Sequence, residues 1–294
     1  MEKTARITGT TKLVGLIGSP VQHSGSPTIH NAVFEKLGLD CAYFAFDVDN
    51  VRLQDTVRGM VSMGFLGYNV TTPCKTFILP FLDEVSEAAE IMGAVNTVVI
   101  QNGRSLGDNA DGAAFMRNLV LNGVNIRGKK ITVLGAGGAG SAVIAQASLD
   151  GVSKIDVFNR KDEFYKSAEE LIERIHDHGS SCEINLFDLD EEDQLAASIS
   201  ESVLVVNATN VGSPELPGCL VKPEMLHTDL IVADMVYVPC ETELIKMARE
   251  HNNKVIDGVG VFLQQAAISE RLWLGREMPL DFAREVFFSE KSEK

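Results

Sequence analysis

No stretch of this 294-residue sequence approaches the roughly 20 consecutive apolar residues that span a bilayer, so it carries no candidate transmembrane helix. An export signal is missing as well: Met1-Glu2-Lys3-Thr4-Ala5-Arg6 leads into the short run Leu13 to Ile17, which Gly18-Ser19-Pro20 cuts off too early for a signal-peptide core. The five cysteines (Cys41, Cys74, Cys182, Cys219, Cys240) are odd in number and scattered, with no C-x-x-C pair, which excludes a disulfide framework and a zinc knuckle. No metal site is expected. Positive charge is also scarce, with 26 Lys and Arg against 41 Asp and Glu and a net charge of -15. Such a chain is repelled by nucleic acid and anionic membranes, and an anionic substrate must be captured by local groups in a pocket. Repeats and low-complexity tracts are absent. The expectation is a cytoplasmic enzyme of small molecules, with a homodimer compatible with the sequence.

What remains is ordinary globular material, 45% hydrophobic and 23% charged, long enough for two domains. Short β-branched or apolar runs alternate with segments of helical period, the pattern of parallel sheets covered by helices. Leu13 to Ile17, Ala42 to Val48 and Tyr68 to Thr71 read as strands, with a helix bearing Ile29, Val33 and Leu37 and another from Val51 to Met63 between them. Asn96 to Ile100 reads as a further strand, followed by a polar loop, Gln101-Asn102-Gly103-Arg104-Ser105, and a helix through Leu121. A second unit then starts with a strand from Lys130 to Leu134, a glycine turn, a helix to about Leu149 and a strand from Lys154 to Phe158. Later strand candidates are Val203 to Asn207, Leu230 to Asp234 and Lys254 to Ile256, with a helix from Gly260 to about Trp273 and another at the C-terminus. The fold class expected is α/β: an N-terminal α/β domain with a mostly parallel sheet, and a Rossmann domain.

The glycine turn Gly135-Ala136-Gly137-Gly138-Ala139-Gly140 contains G-x-G-x-x-G directly after a buried strand and at the opening of a helix. In that context the glycines allow a tight turn and close backbone approach, and the helix N-terminus offers N–H groups to a pyrophosphate. The alternative is a turn that merely packs helix on strand. The second strand leads into Asn159-Arg160-Lys161-Asp162, where a Rossmann fold reads the adenosine ribose. A guanidinium there suits the 2′-phosphate of NADP, and a carboxylate suits the free 2′-OH of NAD. Both are present, so use of both cofactors is expected; a charged solvated turn is the alternative.

In the first domain, Ser26 with Pro27 reads as a helix N-cap, and Ser24 adds a second hydroxyl suited to an anion; capping alone is the alternative. Asn69-Val70-Thr71-Thr72-Pro73-Cys74-Lys75 follows a strand at its C-terminal end, the edge where open parallel sheets bind ligands. Lys75 is nonetheless of a type usually found at the surface, and Asp111 reads equally as a helix N-cap. Asn96 begins an apolar strand, and Gln265 lies on a stripe with Val261, Ile268 and Leu272; structural hydrogen bonding explains either.

These residues carry a resemblance. The segments G-L-I-G-S-P-V-Q-H-S-G-S-P (15–27), N-V-T-T-P-C-K (69–75), G-A-V-N-T (93–97), G-D-N-A-D-G (107–112), G-A-G-G-A (135–139), N-A-T (207–209), D-M-V-Y (234–237) and G-V-G-V-F-L-Q-Q-A-A (258–267) together resemble the shikimate dehydrogenase family. Phe158 to Phe164 is closest to the quinate/shikimate dehydrogenase branch, whose members accept NAD as well as NADP.

The resemblance implies hydride exchange between the nicotinamide and the carbon bearing a ring hydroxyl of shikimate, giving 3-dehydroshikimate in aromatic amino acid biosynthesis. By the same implication Lys75 is the acid/base, since alcohol oxidation needs a group to take the hydroxyl proton, and Asp111 is its partner. Ser24 and Ser26 bind the substrate carboxylate. Thr71, Asn96, Tyr237 and Gln265 contact ring hydroxyls or carboxylate, Thr209, Met235 and Gly258 lie with the cofactor, and Asp83 is a weaker cofactor match. Three positions depart from the family pattern: Gly25 between the serines, Cys74 beside the lysine, and Ala110 where a hydroxyl is usual.

The domains expected are a substrate-binding domain of residues 1–110 completed by 260–294, and an NAD(P)-binding domain of 111–259. The active site is expected in a cleft between them, with hinge closure excluding water. Rival readings are a dehydrogenase preferring quinate or an amino-shikimate, and a dinucleotide-binding sensor without turnover.

Overall fold

The protein is represented by a computed structural model that describes residues 7–292. Met1 to Arg6, read above as no part of an export signal, and Glu293 and Lys294 at the end of the expected first domain lie outside the described residues. The chain divides into two compact units, residues 1–110 with 265–294, and residues 111–264.

The first unit is built on β1 (Lys12–Gly18), α1 (Ser26–Leu37), β2 (Cys41–Asp47), α2 (Leu53–Ser62), β3 (Gly67–Val70), α3 (Cys74–Phe77), β4 (Glu84–Val85), α4 (Glu87–Met92), β5 (Thr97–Gln101) and β6 (Arg104–Asp108). Its sheet runs in the order β2-β1-β3-β5-β6-β4. β1 pairs parallel with both β2 and β3, while β5 runs antiparallel to β3 and β6. The period of 2 in a strand sorts side chains between two cores. Ile17 joins Val57, Tyr68 and Val70 on one face, while Val14 and Leu16 join Phe34, Tyr43 and Trp273 on the other.

Two local features were read differently from the sequence. Gln101 to Ser105, taken as a loop, is the tip of a β5–β6 hairpin, and its turn residues Asn102 and Gly103 have φ of 54° and 75°. An Asn-Gly pair is the preferred filling of a two-residue turn with both φ positive, so the signal was present. The cap of α1 is Gly25, not Ser26, and it makes no side-chain cap hydrogen bond; Ser26 is already the first helical residue. The outer edge of β2 is shielded at its centre: the Asn31 side chain accepts from the Tyr43 N–H (2.8 Å) and donates to the Tyr43 carbonyl (2.9 Å), as a neighbouring strand would.

The second unit contains α5 (Ala110–Leu121), β7 (Lys130–Leu134), α6 (Gly138–Leu149), β8 (Lys154–Asn159), α7 (Glu163–Asp177), β9 (Glu183–Asp188), α8 (Glu192–Ser200), β10 (Leu204–Asn207), β11 (Ile231–Asp234), α9 (Glu243–Glu250) and β12 (Lys254–Ile256). Ala110 itself is counted with the first unit. All six strands are parallel, in the order β12-β11-β10-β7-β8-β9. This is the doubly wound Rossmann order, whose direction of winding reverses between β7 and β10; ligands bind in the crevice at that reversal.

Two helices close the chain, α10 (Gly258–Leu274) and α11 (Leu280–Ser292), and the part from Gln265 onward belongs to the first unit. The stripe Val261, Gln265, Ile268, Leu272 is not the buried face of α10. Leu272 is 39% exposed, whereas Ala266, Ala267, Glu270 and Trp273 are buried. Gly67 makes room for Trp273, whose Nε1–H donates to the Val98 carbonyl at 2.9 Å; a Cβ at 67 would strike both groups.

The N-terminal end of the second sheet is held by a buried charge. Asp156 on β8 is 2% exposed and accepts from Lys130 Nζ (2.8 Å), Ser198 Oγ (2.7 Å) and Asn185 Nδ2 (3.0 Å). Burial pushes this carboxyl upward, but the three donors outweigh it and its pKa lies below the ordinary value. Its stabilising contribution is therefore full above the unfolded value of about 3.9 and is lost as the pH falls through the lower folded value. Asp156→Ala leaves Lys130 with only the exposed Glu201 carboxylate (2.7 Å) and takes an acceptor from Ser198 and Asn185, so about 2 kcal/mol of stability is expected to disappear at neutral pH. Thermal unfolding of both proteins as a function of pH checks this: the gap should narrow below about pH 4.

Candidate active site

The glycine turn leaves β7 at Gly135 (φ 91°), where a Cβ would meet Thr209 Cγ2 at 2.7 Å. Gly140 is equally constrained, because a Cβ there would collide with the Gly135 carbonyl. The protein's own packing demands these two glycines. It does not demand Gly137 or Gly138: a Cβ at either would have no protein atom within 4 Å. Gly137 caps α6 in an extended conformation with no side-chain cap hydrogen bond. Free backbone N–H groups at a helix N-terminus, facing space that side chains leave open, are the cradle a pyrophosphate requires. Packing of helix on strand accounts for half of the motif, and this open space fits the other half. Ala136 N donates to Asn159 Oδ1 (3.0 Å), and Asn159 Nδ2 donates to the Arg160 carbonyl (2.8 Å), so the turn after β8 is tied to the glycine turn.

Arg160, Lys161 and Asp162 are all exposed on that second turn. They do not act alike. Lys161 pairs with Asp188 at 3.2 Å, which raises the lysine's pKa, and Asp162 accepts from Asn159 Nδ2 at 3.3 Å. Arg160 instead borders a cavity of about 250 Å³ with Leu189, Asp190, Cys219 and Lys222. Lys222 is paired with Glu192, which lines the same cavity, so an anion there is met by the Arg160 guanidinium.

At the ends of β10 and β11 lies a buried polar cluster that sequence reasoning did not single out. Asp234, 1% exposed, accepts from Thr242 Oγ1 (2.6 Å), Asn207 Nδ2 (2.9 Å) and Val236 N (3.0 Å). Burial nevertheless raises its pKa above the usual carboxylate value. Asn207 Oδ1 in turn accepts from the Thr209 hydroxyl at 2.7 Å, and the Asn207 carbonyl accepts from Met235 N at 2.8 Å. Thr209 and Met235 are thus set by one network. Gly258 is required beside them, since a Cβ would stand 2.8 Å from the Met235 carbonyl oxygen and closer still to that of Val236. Tyr237, 39% exposed, stacks on Phe262 with centroids 5.0 Å apart.

In the first unit, Thr71 and Lys75 follow the C-terminal end of β3. Thr71 N donates to the Ile17 carbonyl (2.9 Å), and a Cβ on Gly18 would run into Thr71 and Thr72, so glycine at the end of β1 permits this approach. Lys75 sits in the single turn of α3, half-buried, and its carbonyl accepts from Val95 N at 2.9 Å. Beside it, the Cys74 thiol is buried and donates to the Val48 carbonyl, a packing role for this unusual residue. Ser24 and Ser26 are half-buried, with Ser26 N donating to Ser24 Oγ at 3.3 Å.

Asn96 lies one residue before β5, not within it, and is 3% exposed. Its Oδ1 accepts from the Ala110 N–H (2.8 Å) and from Thr97 Oγ1 (2.9 Å), which leaves Nδ2 as a buried donor with no hydrogen-bond partner. Such an atom calls for a ligand acceptor. Gln265 Nε2 donates to Ser269 Oγ at 3.1 Å. Between these two amides stands Asn69, whose Nδ2 donates to Ser269 Oγ (2.9 Å), Thr97 Oγ1 (3.2 Å) and the Asn96 carbonyl (3.2 Å). Asn69, Thr97 and Ser269 escaped sequence reasoning. The available signals were a polar residue ending a buried strand and a hydroxyl one helical turn beyond Gln265.

Asp111 is the second residue of α5 rather than its cap, next to the Ala110 N–H that Asn96 holds. Asp83, the weaker cofactor candidate, spends its carboxylate on the Ser105 N–H and hydroxyl (2.7 and 2.8 Å). Among the described residues no group of three or more His, Cys, Asp or Glu is arranged to hold a metal ion, and no helix is long and apolar enough to cross a membrane.

Comparison with known proteins shows what the chain as a whole is similar to. Residues 16–98 match the family model described as the shikimate dehydrogenase substrate binding domain. Over 287 residues the chain is 46% identical to the shikimate dehydrogenase (NADP(+)) of Listeria monocytogenes, covering 97% of this chain and 98% of that protein. The crystal structure of shikimate 5-dehydrogenase from Listeria monocytogenes, in complex with shikimate and NAD, superposes with a TM-score of 0.93 at 45% identity, covering 97% and 99% of the two chains. Quinate dehydrogenase from Corynebacterium glutamicum, in complex with NAD, superposes with a TM-score of 0.86 at 34% identity, covering 95% and 99%.

Proposed function

This chain belongs to the shikimate dehydrogenase family, and from that premise we propose that it oxidises shikimate reversibly to 3-dehydroshikimate with NADP or NAD, with quinate as a second substrate. The observation that carries the reading is the set of amides and hydroxyls at the C-terminal ends of β1 and β3, above all the unpartnered, buried Asn96 Nδ2. A polyhydroxylated ring supplies the acceptors such donors lack. When bound, the nicotinamide ring supplies the hydride acceptor.

The chain's own residues do the rest. Ser24 and Ser26 hold the substrate carboxylate, and Thr71, Asn96, Tyr237 and Gln265 orient the ring hydroxyls or carboxylate. Lys75 Nζ receives the hydroxyl proton in oxidation and returns it in reduction, with Asp111 as the second ionisable group of that transfer. The turn from Gly135 to Gly140 holds the pyrophosphate, Thr209, Met235 and Gly258 border the nicotinamide half, and Asn159 to Asp162 read the ribose. The same reading includes a cytoplasmic setting, whose reducing conditions suit five scattered cysteines, and a homodimer, which sedimentation velocity distinguishes from a monomer.

Initial rates with shikimate and quinate, each with NADP and NAD, test the proposal. Shikimate turnover with at least one cofactor is expected; cofactor binding without turnover of either substrate would instead mark a dinucleotide sensor. Arg160→Ala is expected to raise KM for NADP by about tenfold and leave KM for NAD unchanged, because only the 2′-phosphate loses a charge-assisted partner. An equal change for both cofactors would show that Arg160 is merely a solvated residue.

A further inference from the structure

Beneath the proposed substrate amides lies a buried group that the reaction does not use. Tyr43 on β2 is 2% exposed and is gripped at three places. The Asn31 side chain holds its backbone N–H and carbonyl. Its ring lies flat on the His30 imidazole, with centroids 4.4 Å apart and planes 11° apart. Its hydroxyl donates to Asn69 Oδ1 at 2.9 Å. His30 is itself fixed, because Nδ1 lies 2.8 Å from Glu270 Oε1 and the two side chains are 1% and 0% exposed. The other oxygen, Glu270 Oε2, is buried without a hydrogen-bond partner. A buried, hydrogen-bonded polar pair of this kind is a costly way to fill a core, and apolar residues of similar volume often do so with greater stability. What it provides here is a rigid platform under one phenol.

We propose that Tyr43, held on the His30–Glu270 pair, is a positioning residue that anchors the hydrogen-bonded frame carrying the substrate-binding amides. The inference rests on the reading of Asn96 and Gln265 as substrate-binding residues and deepens it. The Tyr43 hydroxyl has one proton and gives it to Asn69 Oδ1. That fixes the Asn69 amide with Nδ2 toward Ser269 Oγ, Thr97 Oγ1 and the Asn96 carbonyl, the last of which can only accept. The Thr97 hydroxyl, receiving from Asn69, donates onward to Asn96 Oδ1. Asn96 Oδ1, which the Ala110 N–H also holds, is kept inward by both donors, and Nδ2 is left to a ligand. On the other branch Ser269, receiving from both Asn69 and Gln265 Nε2, donates to the Gln265 carbonyl. Every link passes a proton in one direction, and such chains strengthen one another. Burial also pushes the Tyr43 phenol well above its ordinary pKa, so its proton stays in place throughout the range in which enzymes work.

Without the phenolic hydroxyl, Asn69 Oδ1 is buried with no donor. Rotation of the amide would set Oδ1 against the Asn96 carbonyl, so Asn69 instead loses its anchor and the bonds from Nδ2 to Ser269, Thr97 and the Asn96 carbonyl loosen. Tyr43→Phe keeps the ring and the stack and removes only the hydroxyl, the partner of Asn69 Oδ1 and of the Ser26 side chain. The expected result is a rise of about tenfold in KM for shikimate, with KM for the nicotinamide cofactor unchanged. A merely structural role predicts lower thermal stability with both KM values moving together, or neither. The deciding measurement is a double-mutant cycle with Asn96→Ala. If Tyr43 acts through Asn96, Tyr43→Phe adds little to the shikimate KM of the Asn96→Ala protein. The same factor in both backgrounds, an unchanged shikimate KM, or equal shifts for substrate and cofactor overturns the proposal. An Asn96→Ala protein with wild-type kinetics overturns instead the reading of Asn96 on which it rests.

Discussion

Lys75→Ala is expected to lower kcat for shikimate oxidation by about 100- to 10,000-fold while leaving cofactor affinity and thermal stability close to those of the parent protein. The magnitude is that of a general acid/base removed from a proton transfer. The separation of effects follows from where the residue sits. Lys75 lies in the one-turn helix α3, and the bond that stitches this turn to the rest of the first unit is its main-chain carbonyl accepting from Val95 N, which alanine retains. The apolar anchor of the turn is the adjacent Cys74, fully buried. Alanine therefore removes the ammonium and little else. Steady-state kinetics with saturating cofactor, alongside a cofactor-binding titration, check both halves. Full shikimate oxidation by a variant that still binds cofactor would remove Lys75 from the mechanism, whereas loss of both activities would point to local unfolding of α3.

How far the sequence led can be judged element by element. Most of the parallel strands were legible because they are apolar runs, which local composition records, whereas the partly exposed edge strand β9 (Glu183–Asp188) was not read. Lys130–Leu134 and Lys254–Ile256 were delimited as they stand in the structure, and most other strand edges shifted by a residue. What escaped were elements whose identity depends on a partner. β6, with the pattern Arg104-Ser105-Leu106-Gly107-Asp108, has too little apolar content to announce itself and exists because β5 pairs with it. The apolar stripe through Gln265 did not reveal the core-facing residues of α10, which include Glu270, a polar group that His30 makes tolerable. That partner lies 240 positions away and no local pattern reveals it.

The same divide runs through the candidate site. Residues whose role follows from a backbone constraint, such as Gly135 at a positive φ or Gly258 against the Met235 carbonyl, are signalled by their identity as glycine. Asn96 was noticed as a polar residue in apolar surroundings, and the structure adds which of its two polar atoms is free. Asn69 and Ser269 were not noticed, because each is unremarkable until a long-range contact brings them within 2.9 Å. Polar networks are assembled by tertiary structure, and a sequence shows only their members.

The four glycines of the cofactor turn should therefore divide into two classes under substitution. Gly140→Ala is expected to destabilise the second unit by about 3 kcal/mol or more, since its Cβ collides with a main-chain oxygen that cannot rotate aside. At about 2–4 °C per kcal/mol, the unfolding midpoint should fall by roughly 10 °C. Gly137→Val should do the reverse. With no protein atom within 4 Å of its Cβ, and φ of -69° that any residue adopts, the side chain enters open space and the unfolding midpoint should stay within a few degrees. That open space is where the proposed pyrophosphate approaches the N-terminus of α6. Crowding it should cost about 3 kcal/mol of cofactor binding, a rise of roughly 100-fold in KM for NADP and NAD alike. The two forms are affected equally because the pyrophosphate is common to both and the 2′-position is not involved. Differential scanning calorimetry and cofactor KM for the two variants decide the matter. If Gly137→Val binds cofactor normally, the turn only packs helix against strand, and the dinucleotide must be sought elsewhere on the sheet.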